Sequence, residues 1–258
     1  MNKSLHLSLS LLASTLVLWS FTGCGKSESI VHVDGTSASV TTATLNHWMQ
    51  AFAGLDFRTS VGTEGPVGLV SEPADYKRCA AAVKLIAPKT FLGQVRLKSK
   101  TISTRCRELY RSVKAQAISF LIAVAWGAAE GDEMGLKVSE AEVKREFARI
   151  RRVPYPTDTQ LRKYMTERHL TLSDLLFRLK DSILVGRILS KFQAKVKAAG
   201  GGEKTYTKLA IQRHRQWVAK TSCRSGYIAP NCREYRGPEI VEPSPNSVLE
   251  AIVQGNTK

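Results

Sequence analysis

The sequence feature that most constrains the fold is the stretch from Thr104 to Met134, where apolar side chains recur at helical spacing. The apolar positions of this stretch are Leu109, Val113, Phe120, Leu121, Val124 and Trp126. Gly135 follows directly, and a glycine there is typical of a helix C-cap. Because a helix this apolar has to be covered by its neighbours, the sequence predicts a mainly α protein built around one core helix.

Shorter helices are predicted on both sides of the core helix from apolar stripes and capping residues. One begins at a Thr42 cap, and another surrounds Cys79. Three further starts fit a capping box, in which a Ser or Thr is followed three residues later by an acid or amide: Ser139 with Glu142, Thr157 with Gln160, and Thr171 with Asp174. The third opens a long helix that ends before the glycines at 200–202, and a basic helix from about Glu203 to Lys220 follows.

Little β-structure is predicted. Short apolar runs on either side of Asp34-Gly35 predict at most a tiny β-hairpin near the N-terminus. Residues 54–72 contain four glycines and a proline with little periodicity, so we expect a long loop there. Residues 236–258 carry three prolines and scattered acids, which predicts a disordered C-terminal tail.

The first residues are typical of an exported protein. Lys3 provides a positive start, Leu5 to Trp19 form an uncharged apolar run, and Gly23-Cys24 close the segment. Residues 1–23 therefore predict a signal peptide, and its end resembles the bacterial lipobox, whose cysteine carries lipid. This resemblance implies a lipid anchor on Cys24, a tether over residues 24–29, and a location on the extracytoplasmic face of the cell membrane. An ordinary signal peptide with a free Cys24 is the alternative. No later apolar run is expected to span a membrane.

Four cysteines remain when Cys24 is set aside, and an even number in an exported chain is typical of disulfides. Four cysteines allow three connectivities. The topologically simplest pairs neighbours in sequence: Cys79 with Cys106, and Cys223 with Cys232. A zinc site is the competing interpretation, but separations of 27 and 9 residues do not match zinc-ligand spacing, so no metal is expected.

The chain is basic, with 38 Lys and Arg against 22 Asp and Glu and a net charge of +16. Half of this excess falls between Lys191 and Arg224, where nine basic residues accompany one acid. A solvated helix face is one interpretation of this basic run. The other is binding of the basic helix to anionic lipid or wall polymer, while nucleic acid is not expected outside the cell.

Motifs for the common catalytic chemistries are absent from the sequence. It has no G-x-S-x-G, no H-E-x-x-H, no P-loop, and no G-x-G-x-x-G after a strand. The histidines are scattered singly, and a lone histidine on a helix is more often a surface or packing residue than a base. We therefore expect no catalytic residue and no cofactor.

Six segments follow one another along the chain: V-H-V-D-G, T-x-x-x-L-N-H-W-M, F-L-I-A-x-A-W, V-S-E-A-E-V-K-R-E-F, T-L-S-D-L-L-F-R-L and T-S-C-R-S-G-Y-I-A-P-N-C. In this order they resemble the N-terminal domain of SurA- and PrsA-like extracytoplasmic foldases, particularly short actinobacterial lipoproteins. The resemblance implies a helical chaperone domain over residues 30–199, followed by a basic helix and disulfide loop over residues 203–235.

In such relatives the helical domain holds unfolded exported polypeptides in an apolar groove. The resemblance implies a groove lined by six aromatic residues, with core packing as the alternative for each: Trp48, Phe52, Phe120, Trp126, Phe147 and Phe177. A parvulin-type isomerase domain needs on the order of a hundred residues, more than follow Lys197. We therefore expect a holdase without enzyme activity. A minimal prolyl isomerase and a basic wall-binding structural protein are the alternatives.

Overall fold

The computed structural model describes residues 28–61, 69–86 and 99–237. The predicted signal peptide, the proposed anchor at Cys24, most of the tether, and the tail from residue 238 lie outside the described residues. The expectations for these segments therefore stay predictions from the sequence.

The described residues form seven helices and one three-stranded sheet. The helices are α1 (Thr42–Val61), α2 (Lys77–Ile86), α3 (Ser99–Glu133), α4 (Glu140–Ile150), α5 (Asp158–Glu167), α6 (Leu172–Ala198) and α7 (Glu203–Lys220). The strands are β1 (Ser29–Val33), β2 (Ser39–Thr41) and β3 (Thr221–Cys223). The prediction of a mainly α fold with a small N-terminal β-structure is confirmed.

Helix α3 lies at the centre of the fold, as its apolar stripe predicts. It packs against α1, α2 and α6, and its fully buried side chains include Val113, Ile118 and Ile122. The axis of α6 comes close to α3 at Gly131, where an added Cβ would lie 2.8 Å from Cδ1 of Leu184. A side chain at this position would therefore have to displace Leu184 from the interface.

Two of the three predicted capping boxes are complete, at Thr157 and Thr171. At the start of α4 only half of the third box forms. Ser139 Oγ accepts a hydrogen bond from the N–H of Glu142 at 3.2 Å, but the Glu142 carboxylate binds Arg187 of α6. The glutamate thus links two helices instead of closing its own cap.

Helix α1 differs from the prediction at both ends. Its cap is Thr41 rather than Thr42, because Thr41 Oγ1 accepts a hydrogen bond from the N–H of Thr44 at 3.2 Å. The helix continues to Val61, so the first part of the predicted 54–72 loop is helical. Glycine inside a helix costs only about 1 kcal/mol, which explains why the glycine at position 54 does not end α1.

The sheet has one strand that the sequence did not predict. β1 and β2 form the expected hairpin, turning at Asp34-Gly35, where Gly35 has a φ of +80°. β3 pairs antiparallel with the other edge of β1, placing Cys223 opposite Val31. The segment that follows α7 therefore returns to the start of the described chain.

Both predicted disulfides are formed. Cys79 of α2 is bonded to Cys106 of α3, with Cα atoms 5.8 Å apart, and Cys223 is bonded to Cys232, with Cα atoms 5.7 Å apart. The first bridge fastens α2 to the core helix. The second closes the loop that follows β3.

Helix α3, over Lys100–Glu133, passes a length and composition test for a membrane-spanning helix. It is the one such candidate in the described part of the chain. By length and composition alone, the expectation that no later apolar run is long enough to span a membrane is therefore wrong. Most buried side chains of α3 belong to the core shared with α1 and α2, and Ala125 and Ala129 pack with Val33 and Trp217. Core helices commonly pass this test.

Candidate functional site

Four of the six predicted groove aromatics lie together where α1, α3 and α6 meet. Trp48 is central: its ring centroid lies 4.6 Å from that of Phe120 and 5.8 Å from that of Phe177. Phe52 lies 6.0 Å from Trp48 and 5.5 Å from Phe120. Aromatic pairs at such distances each contribute about 0.5–1.5 kcal/mol beyond their burial. We call these four residues the aromatic cluster.

Exposure to solvent rises across the aromatic cluster from α1 to α6. Trp48 is 3% exposed, whereas Phe52 and Phe120 are half-buried. Phe177 is 40% exposed. The inner rings therefore belong to the core, and Phe177 presents an apolar surface to solvent on top of them.

An ion pair borders the aromatic cluster. His47 lies beside Trp48 on α1, and its Nε2 is 2.7 Å from Oδ1 of Asp174 in the first turn of α6. The other carboxylate oxygen, Oδ2, accepts hydrogen bonds from the backbone N–H and the hydroxyl of Thr171, each at 2.7 Å. One buried carboxylate therefore caps α6 and links it to α1. This pair is not predicted by the sequence pattern, since 127 residues separate its members.

The two partners of this ion pair change each other's protonation. The hydrogen bond to Asp174 raises the pKa of His47 above its usual value, and partial burial offsets only part of this effect. Burial alone would raise the pKa of Asp174, but hydrogen bonds from His47 and Thr171 outweigh it and hold that pKa below its usual value. Both residues are therefore charged at mildly acidic pH.

The other two predicted groove residues lie outside the aromatic cluster. Trp126 Nε1 donates a hydrogen bond to Oγ1 of Thr221 at 2.7 Å, and the indole ring meets His214 of α7 edge-on at 5.6 Å. Since Thr221 is fully buried, Trp126 joins α3 to the segment around α7 and β3. Phe147 is half-buried on α4, a helix that packs against α6.

A second polar site that the sequence did not predict surrounds Glu72. Its carboxylate accepts hydrogen bonds from Tyr110, from Lys114 at 3.0 Å and from Tyr227 at 3.1 Å. Burial alone would raise the pKa of Glu72, but these hydrogen bonds outweigh it and lower the pKa. The side-chain amide of Asn46 donates a hydrogen bond to the backbone carbonyl of Glu72 and accepts one from the backbone N–H of Glu72. The site therefore fastens the segment before α2 to α1, α3 and the disulfide loop.

No group of three or more His, Cys, Asp or Glu side chains within residues 28–61, 69–86 and 99–237 is arranged to hold a metal ion. Among known proteins, no family model, no curated protein and no solved structure matches the chain.

Proposed function

We propose that the protein is a membrane-anchored extracytoplasmic holdase, which binds unfolded exported polypeptides through the exposed side of the aromatic cluster. Phe177 is the observation that carries this proposal. It is a 40% exposed aromatic ring that rests on the nearly buried ring of Trp48. A ring that is already fixed loses little conformational entropy when a partner covers it, which favours binding.

Other exposed apolar side chains support a binding surface in this part of the chain. The described residues contain five exposed large apolar side chains, and four of them fall between the end of α4 and the second turn of α6: Ile150, Val153, Leu172 and Phe177. Val153 is 88% exposed. Exposed apolar surface of this kind is typical of interaction sites, and unfolded polypeptides offer apolar segments to cover it.

The contribution of Phe177 to binding follows from its exposed area. Complete burial of a phenylalanine side chain is worth about 1.5–3 kcal/mol. The part of Phe177 that is still exposed is therefore worth about 1 kcal/mol when a client covers it, or about fivefold in affinity. A small loss of this size is measurable by titration.

The test is suppression of aggregation of a chemically denatured exported protein. Phe177→Ala is expected to need about fivefold more protein for the same suppression. The matched control is Phe192→Ala, because Phe192 is a half-buried ring on the same helix that contacts Tyr206 at 5.3 Å, away from the aromatic cluster. The control is expected to keep its suppression after correction for thermal stability.

Two results would contradict the proposal. If both variants lose suppression in proportion to their loss of melting temperature, Phe177 acts only in the core. If wild-type protein accelerates a proline-limited refolding phase at catalytic ratios, the protein is an isomerase instead, since that phase otherwise takes tens of seconds or more.

The proposed membrane location rests on Gly23-Cys24 after the apolar leader. Cys24→Ala is expected to move the protein from the membrane fraction to the soluble fraction, or to leave it unprocessed. Wild-type protein without lipid on Cys24 would contradict the anchor without affecting the aggregation assay.

A further inference from the structure

The structure divides the basic run of residues 191–224 into two parts. At the C-terminal end of α7 the positive charges are neutralised within the protein. Arg213 binds Glu130 at 2.9 Å and Glu133 at 2.6 Å, and Lys220 binds Glu133 at 3.2 Å. Arg224 is paired with Glu28. These residues hold α7 and β3 against the rest of the protein.

Four lysines lie where the C-terminal end of α6 meets the N-terminal end of α7, and their charges are not neutralised by salt bridges within the described residues. They lie on either side of the glycine turn at 200–202 and form what we call the lysine corner: Lys195, Lys197, Lys204 and Lys208. All four are exposed, and in the described part of the chain none of them forms a salt bridge. The ring contact between Phe192 and Tyr206 at 5.3 Å keeps the ends of α6 and α7 together. Positive charge is therefore concentrated at one exposed end of the molecule.

The lysine corner continues into an open groove along the outer face of α7. One acid, Glu203, lies at the N-terminal end of this groove, which has a volume of about 1090 Å³. The groove is also lined by Lys204, Lys208, Ile211, Arg215 and Ala219. Their spacing of three and four residues places them on one side of the helix, while Trp217 is buried on the other side. Basic side chains clustered on an exposed helix face are attracted to the negative surface of a bilayer that contains anionic lipids.

The start of the described chain lies at the opposite end of α7. The N–H of Asp34 donates a hydrogen bond to the carbonyl of Lys220 at 2.8 Å, and Glu28 is paired with Arg224. Cys24 lies four positions before Glu28 in the sequence, and four extended residues reach at most about 14 Å. A lipid on Cys24 would therefore hold this end of α7 close to the bilayer, and α7 itself is about 27 Å long.

We infer that the outer face of α7 lies along an anionic lipid bilayer, with the lysine corner bound to phosphate groups of the lipid headgroups. This surface differs from the aromatic cluster of the proposed holdase and involves no client. The positive charge of the lysine corner suits an anionic lipid and an anionic wall polymer equally. The position of the chain start favours lipid, because the proposed anchor at Cys24, on which this inference rests, would hold α7 beside the bilayer.

The test uses the full chain reconstituted into vesicles of phosphatidylcholine alone or mixed with phosphatidylglycerol. A water-soluble acetylating reagent modifies the exposed lysines, and mass spectrometry gives the rate at each position. We expect modification of the lysine corner to be at least about threefold slower on the anionic vesicles, and high salt to remove the difference because it screens surface charges. The control lysines, exposed on other helices, are expected to react equally on both vesicles: Lys77, Lys84 and Lys144.

A pair of variants tests whether the charges themselves make the contact. Lys204→Gln with Lys208→Gln is expected to restore fast modification of Lys195 and Lys197 on anionic vesicles, whereas Lys77→Gln with Lys84→Gln is not. Equal rates on both vesicles, or equal protection of the control lysines, would overturn the inference. Protection by a soluble anionic wall polymer but not by anionic vesicles would also overturn it. None of these outcomes affects the aggregation assay.

Discussion

The ion pair between His47 and Asp174 gives the protein a pH-dependent link between α1 and α6. Asp174 performs two tasks with separate oxygens, because Oδ1 binds His47 and Oδ2 completes the cap with Thr171. His47→Gln removes the ion pair and leaves the helix cap in place. Thr171→Ala weakens the cap and leaves the ion pair. The two variants therefore separate a titrating contribution to stability from one that does not titrate.

The size of the ion-pair contribution follows from the exposure of its members. A hydrogen bond to a charged group contributes about 1.5–3 kcal/mol, whereas a fully exposed ion pair contributes about 0.2–1 kcal/mol. The side chain of Asp174 is 11% exposed and that of His47 is 43% exposed. The pair lies between these limits, and solvent around the imidazole brings the expected value to about 1 kcal/mol.

The direction of the pH dependence follows from the two pKa shifts. His47 has a raised pKa in the folded state, so its contribution is complete below its usual pKa of 6.5 and is lost as the pH rises through the raised value. Asp174 has a lowered pKa, so its contribution is present above 3.8 and is lost as the pH falls through the lowered value. The pair therefore stabilises the fold most between about pH 4 and 6.5.

Denaturant unfolding at pH 5.5 and at pH 8.5, followed by tryptophan fluorescence, measures this contribution. His47→Gln is expected to be about 1 kcal/mol less stable than wild type at pH 5.5 and nearly equal to it at pH 8.5. Thr171→Ala is expected to lose about 1 kcal/mol at both pH values. A loss in His47→Gln that is the same at both pH values would refute the reasoning.

Three further predictions concern the core. Replacing Cys79 and Cys106 by serine is expected to lower the free energy of unfolding by about 3.6 kcal/mol in the chain-entropy model, measured by denaturant unfolding without reductant. Burial raises the pKa of Asp181 to about 6, so this carboxyl is expected to make wild-type stability fall as the pH rises from about 4 to 6, and Asp181→Asn is expected to show a smaller fall over that range. Trp126→Phe removes one hydrogen bond to buried Thr221, whose hydroxyl still donates to the carbonyl of Trp217, and is expected to cost about 0.5–1.5 kcal/mol, with aggregation suppression reduced only as far as melting temperature falls.

Local patterns were sufficient to predict most of the helices. The apolar stripe on α3 and the capping boxes at Thr157 and Thr171 each depend on residues within a few positions of one another. A short stretch of sequence is therefore enough to predict these helices. The end of α1 was predicted wrongly because the glycine at position 54 suggested a loop. Intrinsic helix propensity is a weak preference that tertiary packing routinely overrides.

Long-range polar contacts could not be predicted in this way. The carboxylate of Glu72 meets Tyr110 and Tyr227, which are 38 and 155 residues away. No local pattern around Glu72 indicates these partners, because they come together only when α3 and the disulfide loop are in place. The aromatic residues were found from their type and helical spacing, yet spacing alone did not separate the exposed ring of Phe177 from half-buried Trp126, which is hydrogen-bonded to Thr221.

The start of α6 combines the ion pair with the exposed aromatic ring, and this arrangement has a consequence for binding. Asp174 binds His47 in the first turn of α6, and Phe177 contacts Trp48 in the second. Separation of these turns from α1 would uncover Trp48, which is 3% exposed in the intact protein. Breaking the ion pair would therefore lower stability and increase the small fraction of molecules in which Trp48 is uncovered and available to a client. In a protein whose aromatic cluster served only the core, stability and client binding would fall together.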